Sequence, residues 1–182
     1  MSEFTFVSRD ELDRFHNAQL HILERIGVKI DHAESVDLLL SNGAERDDYD
    51  RVLIPSKMVK EALEKVPKGF QMYDRDGNKA FEMKAGNTVF GTGSDAIFNI
   101  DRKNWHLRNS ILADVKENTR LIDALEQFDF VMSMALPTDV LETRLYPTVF
   151  AEMVANTHKP IVSALTNLAD LERVHEIASR VA

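Results

Sequence analysis

A six-residue segment, Phe90–Asp95, combines two glycines, two hydroxyl side chains and one carboxylate. Glycines let a ligand approach the backbone closely, and the polar side chains can contact a cation or a carboxylate carried by the same ligand. Asp95 is the first candidate substrate-binding residue, and the others in this segment are Phe90, Thr92, Gly93 and Ser94. An ordinary hairpin turn is the more common interpretation of such a segment. A phosphate loop is disfavoured, because the sequence lacks that motif and a following helix.

Two later apolar segments also end near small polar residues. Residues 128–136 and 160–165 are nearly continuous apolar runs, which are typical of buried parallel strands. In β/α barrels the side chains at the carboxyl ends of the strands face the active site. Ser133 and Met134 lie near the end of the first run, and Ser163 and Thr166 lie near the end of the second. Ser163 and Thr166 are therefore further candidate substrate-binding residues, whereas Met134 is expected to fill the core.

The composition excludes several other kinds of site. Twenty-two Lys and Arg against thirty Asp and Glu give a net charge of −8, which disfavours binding to nucleic acid or to an anionic membrane. The sequence has no cysteine, so it has no disulfide, no thiolate zinc site and no cysteine nucleophile. Its six histidines do not have the spacing of a ligand set. We expect a cytoplasmic protein with no metal site and no cofactor bound directly to this chain.

The elements that would position these candidates form three regions, the first of which, residues 1–69, is predicted to be helical. A capping box at Ser8 and Glu11 begins a helix that Gly27 ends. Asp31 is predicted to cap a second helix, and Pro55 to open a third. Short extended segments, 28–30 and 52–54, separate these helices.

Residues 70–109 are predicted to form antiparallel hairpins, because apolar and polar residues alternate between frequent turn residues. The clearest signal is Asp76-Gly77, between residues 70–74 and 79–83. A second hairpin is predicted to pair residues 88–92 with 96–100 around the turn at Gly93–Asp95. Residues 101–104 then turn the chain into 105–108.

Residues 110–182 are predicted to alternate helix, strand, helix, strand, helix, which indicates an α/β fold built from β/α units. A closed barrel of eight such units needs about 200 to 250 residues. This region has room for only the first two units of a TIM barrel, so the barrel is expected to be incomplete in this chain. The sequence is then either the N-terminal portion of a longer enzyme or a small domain that completes its sheet with a partner.

Several pieces of the sequence together resemble the trimethylamine methyltransferase family. They are His16-Asn17-Ala18, Ile22–Ile30, Leu53-Ile54-Pro55, the segment 90–95 and Asn156–Val162. Their order and spacing match along essentially the whole chain. The resemblance implies a helical and hairpin N-terminal region followed by a TIM barrel, in a family whose members are more than twice this length. The position of pyrrolysine in the trimethylamine enzymes would lie beyond Ala182.

The resemblance also implies an activity. Family members transfer a methyl group from a methylated amine to the Co(I) corrinoid of a small partner protein, so the methyl acceptor is the cobalamin of a separate protein. The turn at 91–95 is more similar to relatives that lack pyrrolysine and use quaternary amines such as glycine betaine. We expect such an enzyme, forming a homo-oligomer. Two alternatives remain open: a non-catalytic assembly module, and a domain that binds a small molecule without turnover.

Overall fold

The structure is a computed structural model that describes residues 6–181. The chain divides into two compact units, Met1–Pro67 and Lys68–Ala182. The first unit is mainly helical, and the second mixes helices, antiparallel hairpins and parallel segments. Within residues 6–181, every helix is too short or too polar to cross a lipid bilayer.

The first helix of the N-terminal unit begins as predicted and ends at a glycine. Helix α1 spans Arg9–His21, and Ser8 and Glu11 form the predicted capping box. One wide helical turn, Ile22–Ile26, continues it up to Gly27. Gly27 has a φ of 73°, and a Cβ there would lie 2.8 Å from the carbonyl oxygen of Val52. This glycine therefore ends the helix and lets a neighbouring backbone approach.

The rest of the N-terminal unit packs two helices around a short sheet. Helix α2 spans Ala33–Ser41 and helix α3 spans Ser56–Lys65. Strands β1, Glu45–Arg46, and β2, Val52–Leu53, pair antiparallel. The buried residues of the core cluster between them are Val36, Ala44 and Val52. The prediction that Asp31 caps α2 was wrong: the ring Nδ1 of His32 accepts the hydrogen bond from the Ser35 backbone N–H at 3.2 Å.

Two antiparallel hairpins are present in the second unit. Strands β3, Gly69–Tyr73, and β4, Lys79–Lys84, pair around the predicted Asp76-Gly77 turn. Strands β5, Phe98–Ile100, and β6, Leu107–Asn109, pair around the predicted turn at residues 101–104. These two turn predictions are confirmed.

The predicted pairing of residues 88–92 with 96–100 was wrong. Gly91 instead bridges Phe130 in parallel, and Ala96 bridges Ala135 in parallel. Residues 90–96 therefore run beside residues 130–135, and residues 98–100 pair with β6. The physical reason is that the backbone groups of this segment find partners about 40 residues along the chain, so no local turn is needed to satisfy them.

Helices α4, α5 and α6 pack around these parallel segments. They span Leu112–Asp123, Leu145–Val154 and Leu168–Val181, and a short 3₁₀ turn, Glu142–Arg144, precedes α5. Val131 bridges Ile161 in parallel, which adds the third segment. The most buried core residues include Val115, Val131 and Met153. The second unit is thus mixed α/β as expected, and the parallel pairs in the described part of the chain are isolated bridges that do not close into a barrel.

Candidate functional site

The three parallel segments share one edge at their carboxyl ends. Residues 91–96 lie on one side of 130–135, and Ile161 lies on the other. The Met134 N–H donates to the Gly93 carbonyl at 3.0 Å, and the Ala96 N–H donates to the Met134 carbonyl at 3.2 Å. Because parallel strands end at the same edge, polar side chains from separate parts of the sequence come together there.

A narrow cleft lies at this edge. Its lining includes Ser94, Asp95, Ser133, Tyr146, Val149 and Ser163. The cleft has a volume of about 10 Å³, room for about one water molecule. This space is too small to enclose a ligand larger than water, so a small ligand would contact these residues at the rim of the cleft.

Asp95 lies at the cleft, and only one of its two carboxylate oxygens accepts a hydrogen bond from residues 6–181. The Ser94 hydroxyl donates to one carboxylate oxygen at 2.6 Å, and the other oxygen has no hydrogen bond from residues 6–181. Asp95 is exposed, so its negative charge is available to a ligand.

Two residues at this edge have left-handed backbone conformations. Asp95 has a φ of 68° and Met134 a φ of 56°. Positive φ is uncommon outside glycine, and strained residues of this kind often cluster at binding sites. The backbone strain and the polar cleft thus coincide at the carboxyl ends of neighbouring segments.

The structure brings Ser94, Asp95 and Ser163 together, but four other candidates lie outside the cleft lining. The Thr92 hydroxyl is buried, accepts from the Met132 N–H at 2.7 Å and donates to the Met132 carbonyl at 3.0 Å. In the structure, this hydroxyl links residues 90–96 to residues 130–135.

The remaining three candidates contact other parts of the chain. The Phe90 backbone N–H donates to the Asp129 carboxylate at 2.7 Å, and Phe90 as a whole is 62% exposed. The Gly93 carbonyl accepts a cross-segment hydrogen bond. Thr166 is exposed and accepts from the Asn167 amide at 3.3 Å.

Tyr146 is a cleft residue that the sequence analysis missed. It is the second residue of α5, and it lies three residues before Val149 and seven before Met153, both of which line the same cleft. That helical spacing was the available signal. Tyr146 supplies an aromatic ring, the kind of group whose face attracts a cation.

Buried polar contacts fix the chain where it leaves the cleft. Ser110 is fully buried, and its hydroxyl donates to the Ala96 carbonyl at 2.8 Å. The Arg108 guanidinium donates two hydrogen bonds of 2.7 Å to the Asp114 carboxylate. Those bonds hold the pKa of Asp114 below its usual range, although burial acts in the opposite direction. The β5–β6 hairpin is thereby fastened to α4 beside the cleft.

Parallel segments that alternate with helices and end at a polar cleft define an α/β protein with a candidate small-molecule site. The sequence profile described as trimethylamine methyltransferase (MTTB) matches residues 1–182. The chain therefore belongs to the trimethylamine methyltransferase family.

Curated relatives match along most of the chain. It is similar to the trimethylamine methyltransferase MttB of Desulfitobacterium hafniense, with 26% identity over 181 residues, covering 96% of this chain and 36% of the relative. It is similar to MttB2 of Methanosarcina mazei, with 27% identity over 179 residues, 96% of this chain and 35% of the relative. The L-carnitine:corrinoid methyltransferase of Eubacterium limosum is 23% identical over 164 residues, 88% of this chain and 33% of the relative. The chain thus spans about a third of the length of these relatives.

Proposed function

We propose that this protein takes part in methyl transfer from a quaternary amine, such as glycine betaine, to the Co(I) corrinoid of a partner protein. Family membership supports methyl transfer from an amine. The similarity to an enzyme named for L-carnitine and a corrinoid supports a quaternary amine donor and a corrinoid acceptor, because carnitine carries a trimethylammonium group and a carboxylate, as glycine betaine does.

The proposed reaction is a displacement at the methyl carbon. Co(I) supplies the electron pair of the new Co–CH₃ bond, the N–CH₃ bond breaks, and its electron pair stays on nitrogen. The leaving group is a neutral tertiary amine, so no acid is needed to protonate it. The protein's task is to bind the cation, align the N–CH₃ bond with the acceptor and exclude water.

The observation that carries the proposal is the group of Asp95, Tyr146 and Ser163 at one cleft. The Asp95 carboxylate would attract the trimethylammonium charge, and the Tyr146 ring would contact its methyl groups, a contact worth about 0.5–2 kcal/mol. The hydroxyls of Ser133 and Ser163 would donate to the ligand carboxylate.

Binding can be tested on the chain itself by backbone amide NMR. Glycine betaine is expected to shift the signals of Ser94, Asp95 and Ser163, and Asp95→Asn should abolish the shifts. Glu126→Gln, which removes an exposed carboxylate of the same unit, should leave them unchanged. The neutral-headed analogue 3,3-dimethylbutanoate, which keeps the carboxylate and lacks the cation, should bind far more weakly. Equal shifts in wild type and Asp95→Asn would refute the proposed site.

Methyl transfer is tested by mixing the protein with Co(I) cobalamin and each amine, and following methylcobalamin by absorbance. We expect glycine betaine to react faster than trimethylamine. A faster reaction with trimethylamine would contradict the quaternary-amine assignment. Betaine binding without methylcobalamin formation would instead support a binding module.

A further inference from the structure

A second cleft lies at the opposite, amino-terminal side of the parallel segments. It has a volume of about 330 Å³, which lies within the usual range for small-molecule pockets. Its apolar walls come from the ends of α5 and α6 and the start of the third segment, and include Phe150, Val154, Ile161 and Ala178. Arg75, from the β3–β4 turn, is one of its few charged residues.

The Arg75 side chain is unpaired in a partly buried position. Its Nη2 atom is buried without a hydrogen-bond partner, and its guanidinium has no ion pair within residues 6–181. The Arg75 backbone N–H donates to the His158 carbonyl at 2.9 Å, which fixes the residue at the cleft. Because no residue within 6–181 pairs with this guanidinium, the part of it that lines the cleft can donate hydrogen bonds to an anionic ligand.

The charged side chains beside Arg75 in this cleft already have hydrogen-bond partners elsewhere. The Asp74 carboxylate accepts from the backbone N–H groups of Asp76 and Asn78, at 3.0 and 2.8 Å. The Lys159 ammonium donates to the carbonyls of Ile122 and Leu125, at 2.8 and 2.5 Å. Arg75 therefore has no competing internal partner for its guanidinium.

We propose that this cleft binds a small monocarboxylate with an apolar body. A guanidinium N–H that borders the cleft can donate a charge-assisted hydrogen bond to a carboxylate. The apolar walls would contact the hydrocarbon part of the ligand. The charged side chains that line the cleft, Arg75, Lys159 and Asp74, leave a net charge of +1, which favours an anion of charge −1 over a dianion such as phosphate. The site is separate from the carboxyl-end cleft and does not depend on the proposed methyl transfer.

Hexanoate is the probe, and 1-hexanol is its uncharged counterpart of similar length. Binding is measured by calorimetry and by the Nε–H NMR signal of Arg75. We expect hexanoate to bind and to shift that signal, and hexanol to bind far more weakly. Arg75→Gln should weaken hexanoate binding about tenfold or more, because a charge-assisted hydrogen-bonded pair is lost. Arg75→Lys should lose less, because it keeps the charge.

The matched control is Arg120→Gln, which removes an exposed arginine of α4 in the same unit and should leave hexanoate affinity unchanged. Because the Arg75 guanidinium has no internal partner, Arg75→Gln should also keep the wild-type urea midpoint, so weaker binding would not reflect unfolding. The proposal is overturned if hexanoate fails to bind wild type, binds Arg75→Gln equally well, or binds no better than hexanol. Betaine-induced shifts at Ser163 should be the same in all these variants.

Discussion

Two neighbouring stretches of the second unit both combine strand-forming residues with turn-forming residues. One of them forms a local hairpin, and the other pairs in parallel with a distant segment. Residues 69–84 form an antiparallel hairpin around Gly77. Residues 90–96 form no hairpin and run parallel to residues 130–135. The backbone N–H and C=O groups of the first stretch form hydrogen bonds within the stretch. Those of the second stretch form hydrogen bonds with a segment about 40 residues away.

Two glycines, Gly77 in the hairpin and Gly91 in the parallel segment, explain the difference. Gly77 has a φ of 78° and open space around it, so its conformation is what the turn requires. A Cβ at Gly91 would lie 2.2 Å from the Phe130 ring, so its lack of a side chain is what the parallel neighbour requires. A glycine in a sequence thus marks either a turn or a close approach, and only the structure distinguishes the two.

The largest expected effect is a difference in the free energy of unfolding between alanine variants of Gly91 and Gly93. Gly91→Ala should lower the free energy of unfolding by about 3 kcal/mol, because the new methyl group overlaps the Phe130 ring. Gly93→Ala should change it little, because a Cβ there meets nothing within 4 Å. Urea unfolding of both variants measures this, and equal losses would contradict the parallel placement.

Thr92→Val should have the next largest effect. It removes the hydroxyl that bonds both backbone groups of Met132, which should cost about 2 kcal/mol. The control is Thr88→Val at an exposed position before the segment, which should be nearly neutral. If both valine variants unfold at the wild-type urea concentration, the Thr92 hydroxyl does not link the two segments.

Gly77→Ala tests the hairpin. We expect a loss of about 1 kcal/mol, because alanine at a φ of 78° is strained although no atom obstructs it. Gly77→Asn should lose less, because asparagine tolerates the left-handed conformation. Thermal unfolding can rank the three proteins, and an alanine variant as stable as wild type would mean that the turn has another conformation.

The smallest expected effect is a pH dependence at the same turn. Burial raises the pKa of Asp74, but hydrogen bonds from Asn78 and from the Asp76 backbone outweigh it and lower the pKa. The ionised carboxylate therefore stabilises the fold above the unfolded pKa of about 3.9, and this contribution disappears as the pH falls through the folded value. Urea unfolding between pH 3 and 7 should show wild type more stable than Asp74→Asn at neutral pH, with the gap closing in acid. A gap that is constant with pH would exclude this role.

Local signals predicted much of the fold. Three predictions depend on residues within a few positions of one another, and each is confirmed: the capping box at Ser8, the Asp76-Gly77 turn and the three helices within residues 110–182. A local contact also marks the start of α6: the side chain of Asn167, the residue before this helix, accepts from the Asp170 N–H at 2.9 Å.

Non-local pairing limited the prediction of the candidate site. Asp95, Ser94 and Ser163 were predicted from their residue types, and the structure groups them at one cleft. Thr92 was predicted for the same reason, but its hydroxyl is hydrogen-bonded to the Met132 backbone. No local sequence pattern predicts this contact. Tyr146 was missed because its position at the cleft depends on how α5 packs against the parallel segments.

The most direct test of this account is a methyl NMR experiment on the alanines that bridge the two segments. If residues 90–96 run beside 130–135, the Ala96 and Ala135 methyl groups should give a strong nuclear Overhauser effect to each other. The account would be contradicted if Ala96 showed that effect only with Thr92, as in a local hairpin, and none with Ala135.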